Sequence, residues 1–417
     1  MCKFATIPFK YMRSHKAEYD AAVVVAAVLL TFIIFLTNDV RPITCASIST
    51  HTDECGHTLR RPTSFFKRHV DFSFLKKFFK HWIPFTSTSR VKMEFYLYKR
   101  DFADCGRQIV TDDTESLDIS GFNGDQPTRI IIHGWMSQSK GSFNRAVKNA
   151  YLNLVSQFAV EQLDKKDCTP SIEDLDVNTP ALDNALNDAT NTTHIIQTMH
   201  NITDFNVIVV DWSLISSNVN YFGVVDLIED LGFLLAEFVH FLHMRTGLHY
   251  DDVYLIGHSL GAQIAGSAGK QVKPFRFNTI FALDPAGPKF RDLSDEHRVD
   301  PTDATYVESI QTSSSLGFEE PVGHATFYPN YGRDQKNCYI YGCSHSRAYN
   351  YFAESITSTK GFWGKLCKRK SEDIWLISDS GAEFRMGGEP STPKRGTFYL
   401  KTNSEPPYAM GRQILSD

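Results

Sequence analysis

Cysteine is scarce in this chain, with 8 in 417 residues, which excludes a miniprotein held together mainly by disulfides. Positive charge is not in excess either. Lys and Arg number 43 against 48 Asp and Glu, for a net charge of −5. A nucleic-acid binder relying on bulk basic charge is therefore excluded, and no nucleic-acid partner is expected. There is no collagen-like glycine period, no sustained heptad array and no repeat at solenoid spacing. Only one long apolar run is present, so a polytopic membrane protein is excluded as well. What remains is ordinary for a folded protein: 42% hydrophobic and 22% charged residues. The length suffices for one large domain or two ordinary ones.

That apolar run is Ala21–Thr37, uncharged, with Lys3, Lys10, Arg13 and Lys16 before it and Asp39 and Arg41 after it. The charge bias places residues 1–20 in the cytosol and sends the remainder across a membrane. A cleaved signal peptide and a type II signal anchor both fit. Either one places the rest in an oxidising compartment, secreted or lumenal, where paired Cys persist. The sequons at Asn191 and Asn201 suit that compartment. Residues 38–90 form a basic, Phe-rich linker or pro-like segment. Within it Leu75, Phe78, Phe79 and Trp82 share one helical face, with Lys76, Lys77, Lys80 and His81 on the other. Such a helix either rests on an anionic lipid surface or packs on the core with its Lys in solvent.

From residue 91 the pattern alternates between strands and helices. Residues 91–98, 128–133, 206–211, 252–257 and 278–284 read as strands, rich in β-branched and aromatic residues. Residues 142–163, 222–245 and 260–272 read as helices. In the second of these, Val224, Leu227, Ile228, Leu231, Leu234, Phe238, Phe241 and Leu242 form one stripe that Gly247 stops. Residues 165–193 are polar and acidic and read as a surface insertion. The alternation predicts one α/β domain over 91–417, with a mainly parallel sheet covered by helices.

Gly257-His258-Ser259-Leu260-Gly261 matches G-x-S-x-G. It follows an apolar strand and opens a small-residue helix, the context that makes the motif meaningful. A tight turn there lifts the Ser259 hydroxyl clear of the sheet at a helix N-terminus, where the dipole favours negative charge. A serine needs a base, and the base needs an orienting acid. Asp284, ending the next strand, is the candidate acid. His297, His324 and His345 follow it, and chain order alone does not choose among them. The oxyanion hole is expected from the backbone N–H of Leu260 and that of Trp135, in the loop opened by Gly134 after an early strand.

The stretches IIHGW, VIVVDWS, YLIGHSLGAQIAG, FALDPAGPKF, RVDPTDA, VGHATFYPN, CSHSRAYNYF and MGGEP…RGTFYL occur in one collinear order. They resemble the pancreatic lipase family of α/β-hydrolases. The resemblance implies the α/β-hydrolase fold and a catalytic triad of Ser259, Asp284 and His345. It also implies oxyanion donors at Trp135 and Leu260. Asp295, Arg298, Asp300 and Asp303 align with the family's calcium loop, which implies a structural calcium, although the chemistry itself requires no cofactor. Cys338 and Cys343 align with the cysteines that bound the family's lid, and here they enclose only Tyr339–Gly342. So short a lid resembles the phospholipase A1-like and insect branch, which cleaves the sn-1 acyl ester of phospholipids. The family's C-terminal β-sandwich is not expected, so no colipase-type partner is expected either. The expectation is a serine ester hydrolase acting on phospholipid at a lipid surface. The alternatives are a triglyceride or general glyceride lipase and a non-catalytic, yolk-protein-like lipid carrier.

Overall fold

The computed structural model describes residues 91–164, 204–370, 375–378 and 382–412. The apolar run 21–37, the basic segment 38–90, the insertion 165–193 and the sequons at Asn191 and Asn201 lie outside them. Among the described residues no helix is long and apolar enough to cross a membrane. Tyr339–Tyr341 group outside the main body, which is described here by itself.

That main body is built on one sheet. Its strands are β1 (Glu94–Tyr98), β2 (Arg107–Ile109), β3 (Thr128–Ile132), β4 (Asn206–Asp211), β5 (Val253–His258) and β6 (Phe277–Leu283). Then follow β7 (Ala304–Ile310), β8 (Ala325–Pro329), β9 (Phe362–Arg369), β10 (Trp375–Ile377), β11 (Glu383–Met386) and β12 (Gly396–Leu400). The order across the sheet is β10-β9-β12-β8-β7-β6-β5-β3-β4-β1-β2, with β11 pairing off β9. The run from β4 through β3, β5, β6, β7 and β8 to β12 is parallel. The two edges are antiparallel, β1 and β2 at one and β9 with its partners at the other.

Parallel strands are covered on both faces, so they read as continuous apolar runs. In β3, Ile130 and Ile132 belong to one core and Ile131 to the other. In β5, Val253 and Leu255 face one side and Tyr254 and Ile256 the other. Helices α1 (Thr114–Ser120), α3 (Ile228–Thr246) and α4 (Leu260–Gln271) supply residues to the first core. Helices α2 (Ser142–Asp164) and α5 (Cys343–Thr357) supply the second. A mainly parallel sheet with helices on both faces and a strand–serine–helix turn at its centre is the α/β-hydrolase fold.

Two sequence expectations are corrected in detail. The stripe over 222–245 is not one helix: a short turn, Tyr221–Val225, ends before α3 begins at Ile228. Asn220 caps that turn by accepting the Gly223 N–H at 3.2 Å, which starts a separate helix there. Within the stripe Leu234 is only half-buried, and its neighbour Leu235 is buried instead. Gly247 ends α3 as expected, with φ of 74° and its N–H donated to the His243 carbonyl.

Candidate active site

Strands β5 and β6 are parallel neighbours, with His258 opposite Leu283. The residues that follow them, Ser259 and Asp284, therefore emerge side by side at the carboxyl edge of the sheet. Ser259 donates its backbone N–H to the Leu283 carbonyl at 3.1 Å. It sits at φ 56° and ψ −120°, a costly conformation for a residue with a Cβ. The elbow closes this tightly because of Gly261: a Cβ there would lie 2.0 Å from the Ile132 carbonyl oxygen. The small-residue face of α4 behind it, Ala262, Ala265, Gly266 and Gly269, lets the helix lie close to its neighbours.

Asp284 is fully buried. One carboxylate oxygen accepts the Thr312 N–H at 2.8 Å and the Ser313 N–H at 3.1 Å. The other accepts the Ser313 hydroxyl and the Nδ1–H of His345, the latter at 2.5 Å. These donors fix the direction of the Asp284 side chain, aimed at the imidazole. Thr312 and Ser313 lie in the loop after β7, and nothing in their local sequence advertises this role.

The choice among the three histidines is made by contacts. His324 accepts the Val307 N–H at Nδ1, 3.0 Å away, and serves the sheet. His297 is exposed and faces Glu229 at 3.2 Å. His345 alone of the three meets Asp284. It lies in the first turn of α5, two residues after Cys343, whose disulfide with Cys338 closes the loop leading into the helix. Among the described residues no hydrogen bond joins Ser259 Oγ to His345 Nε2, and contacts of this kind tighten when substrate arrives.

His258 enters the site unannounced. Its Nε2–H donates to the backbone carbonyl of His345 at 3.1 Å. The two rings lie 4.5 Å apart, and Tyr349 and Phe143 complete a box around His258 at 5.1 and 5.6 Å. Burial, reinforced by the facing His345, pushes His258 well below the usual imidazole range and keeps it neutral.

The loop after β3 lies against the serine. A Cβ on Gly134 would come within 2.9 Å of Ser259 Cβ. Close approach, not a positive φ, is thus what that glycine provides; the positive φ of 56° falls on Met136. Among the described residues outside helices and strands, no backbone carbonyl accepts the Trp135 N–H. The loop is pinned on every side. Trp135 Nε1–H donates to the Asn218 carbonyl at 2.7 Å, and Met136 N–H to the Ser216 carbonyl at 2.9 Å. Trp212 Nε1–H donates to the His133 carbonyl at 2.9 Å. Asp211 closes the arrangement: burial would raise its pKa, but hydrogen bonds from His133, Ser139 and Ser213 outweigh burial and hold it below the ordinary carboxylate range. Beside this loop Leu214 is 72% exposed, with Val219, Phe222 and Met136 also apolar and exposed.

The residues aligned with a calcium loop do not form a calcium cage. Asp300 and Asp303 are buried, and both carboxylates accept the ammonium of Lys270. The exposed Asp295 accepts Arg298 at 2.7 and 3.1 Å. A calcium ion takes six to eight oxygens, and the two carboxylates this loop would offer are already held by Lys270.

The family model described as Lipase matches residues 76–408. The chain belongs to the lipase family. Similar proteins include a Dolichovespula maculata protein named Phospholipase A1 1, 34% identical over 219 residues, covering 49% of this chain and 69% of that one. A Vespa velutina Phospholipase A1 is 34% identical over 220 residues, covering 49% and 72%. A Mus musculus Pancreatic triacylglycerol lipase is 28% identical over 361 residues, covering 78% and 67%.

Proposed function

We propose that this lipase-family chain is a serine carboxylic-ester hydrolase acting on lipids, of the phospholipase A1 type, which cleaves the sn-1 acyl ester of phospholipids. The observation that carries the reading is the bond from His345 to the buried Asp284, on the sheet edge where strained Ser259 emerges. His345 Nε2 takes the Ser259 Oγ proton as Oγ attacks the ester carbonyl. Asp284 fixes the Nδ1–H tautomer and stabilises the imidazolium. The N–H groups of Trp135 and Leu260 receive the oxyanion. His345 then protonates the departing alcohol, and water, activated by the same imidazole, frees the acyl group. No cofactor takes part.

The phospholipase preference is supported by the wasp relatives and by the cystine loop Cys338–Cys343, which spans only Tyr339–Gly342. A loop that short reaches roughly 15 Å at most when extended, too little to roof a triglyceride-sized cleft. The apolar rim of Leu214, Val219 and Phe222 supports contact with aggregated lipid. Secretion or a lumenal placement is supported by the same disulfide and by the disulfide-bonded Cys105.

The test uses defined phosphatidylcholine and triolein with product analysis. Lysophospholipid from sn-1 cleavage, formed faster than fatty acid from triolein, is expected. Strong triolein turnover without lysophospholipid would transfer the assignment to a glyceride lipase. A fluorophosphonate probe should label Ser259, and Ser259→Ala should lower kcat about 10⁶-fold. An unlabelled, inactive native chain would be a lipid carrier.

A further inference from the structure

The turn Pro301–Asp303 sits directly on the last turn of α4. The contact is backbone on backbone: a Cβ on Gly269 would fall 2.2 Å from the Asp303 carbonyl oxygen. Lys270, the next residue, is thereby brought to two buried carboxylates that follow it by 30 and 33 positions. Every carboxylate oxygen of the pair is engaged. Asp300 Oδ1 accepts the Thr302 N–H at 2.6 Å, and Asp300 Oδ2 accepts Lys270 Nζ at 2.5 Å. Asp303 Oδ2 accepts the Asp300 N–H at 2.9 Å, and Asp303 Oδ1 accepts Lys270 Nζ. Two buried like charges close together need a cation between them, and here the chain supplies one. An entering dication would have to expel the ammonium and break the hydrogen bonds that shape the turn.

We propose that Lys270 is the built-in cation of this turn, performing the charge neutralisation that a calcium ion would perform, so that the fold does not depend on calcium. The ammonium ties α4, the helix that starts at the nucleophile elbow, to the turn that leads into β7. It does so from within one chain and at a fixed stoichiometry. The inference does not depend on which ester is hydrolysed, because its readouts are stability and metal binding.

The experiment compares the full-length wild-type chain with K270Q and K270R by thermal unfolding in excess EGTA and in millimolar CaCl₂. Calcium titration by calorimetry accompanies it. Wild type and K270R should have the same Tm in both solutions and give no binding heat. K270Q should lose roughly 3–8 °C in EGTA and recover part of that loss when calcium is added, because its two carboxylates are then unpaired. A wild-type Tm that rises with calcium, with saturable binding heat abolished by Asp303→Asn, would overturn the proposal. So would a K270Q whose Tm equals that of wild type in EGTA. Should K270Q fail to fold, the wild-type and K270R titrations still decide between the two outcomes.

Discussion

At the scale of single residues, the site is governed by which polar atoms are already spoken for. Asp284 accepts from three groups of the 312–313 segment besides the imidazole, so its direction is set before substrate arrives. His258 acts one step further back. It grips the backbone of His345 rather than its ring, and its own neutrality keeps a second positive charge away from the His345 ring, where the proposed mechanism forms an imidazolium. His258→Phe keeps the ring volume and removes the donor. The expected result is a kcat lowered by roughly ten- to a hundredfold, with KM nearly unchanged and Ser259 phosphonylation slowed in parallel. A parallel loss of folded protein without a change in kcat would make the residue purely structural. The pH dependence has a definite sign. With its folded pKa depressed below the ordinary 6.5, His258 contributes stability that is complete above that pH. The contribution is lost as pH falls towards the folded value, because the unfolded chain takes the proton first. Urea unfolding of wild type and His258→Phe at pH 7.5 and at pH 5 should therefore show the gap between them narrowing on acidification.

At the scale of elements, the nucleophile elbow depends on the approach of α4 to β3. Gly261→Ala places a methyl against the Ile132 carbonyl, backbone that cannot move aside as a side chain would. A loss of about 1–3 kcal/mol or more is expected, together with loss of fluorophosphonate labelling, which urea unfolding and in-gel detection would measure. Full stability in that variant would mean that the elbow is looser than described. The elbow was legible in the sequence because all its parts are local: an apolar strand, a pentapeptide and a small-residue helix. Strands β1 and β3 to β6 were legible as short runs of β-branched and aromatic residues, whereas β2, three residues of which two are only half-buried, was not. The break in the 222–245 stripe was not, because Asn220 caps its turn through one side chain that leaves the hydrophobic period intact. Nor were the partners of Asp284, since Thr312 and Ser313 reach it across 28 and 29 residues through a loop of ordinary composition. Nor was the Lys270 pairing, which joins residues 30 and 33 positions apart. Its acidic partners read as metal ligands until the fold brought a lysine between them.

At the scale of the whole molecule, the last third of the chain returns to the middle of the sheet and locks it. The MGGEP stretch resembles a family signature, yet none of its hydrogen bonds reaches Ser259, Asp284 or His345. Its Gly387 N–H donates to Glu308 Oε1 at 2.6 Å, beside Lys394, which holds Glu308 Oε2 at 2.9 Å. Its Glu389 receives Arg129 of β3 through two bonds, at 2.7 and 2.9 Å, across 260 positions of sequence. Arg129 is almost wholly buried and lies 3.7 Å from the centre of the Tyr254 ring. The pair thus fastens the segment after β11 to the strand that carries the Gly134–Trp135 loop. A matched buried pair adds little beyond a hydrophobic replacement, but an orphaned buried guanidinium is costly. Glu389→Gln should accordingly cost about 3–5 kcal/mol, and Arg129→Met with Glu389→Leu should cost much less. Chemical denaturation of the single and double variants measures both. In the fraction that remains folded, Ser259 should label at the wild-type rate, because the clamp holds the sheet and not the triad. A slowed label in folded Glu389→Gln would show that strain at this clamp is transmitted along β3 to the Gly134–Trp135 loop.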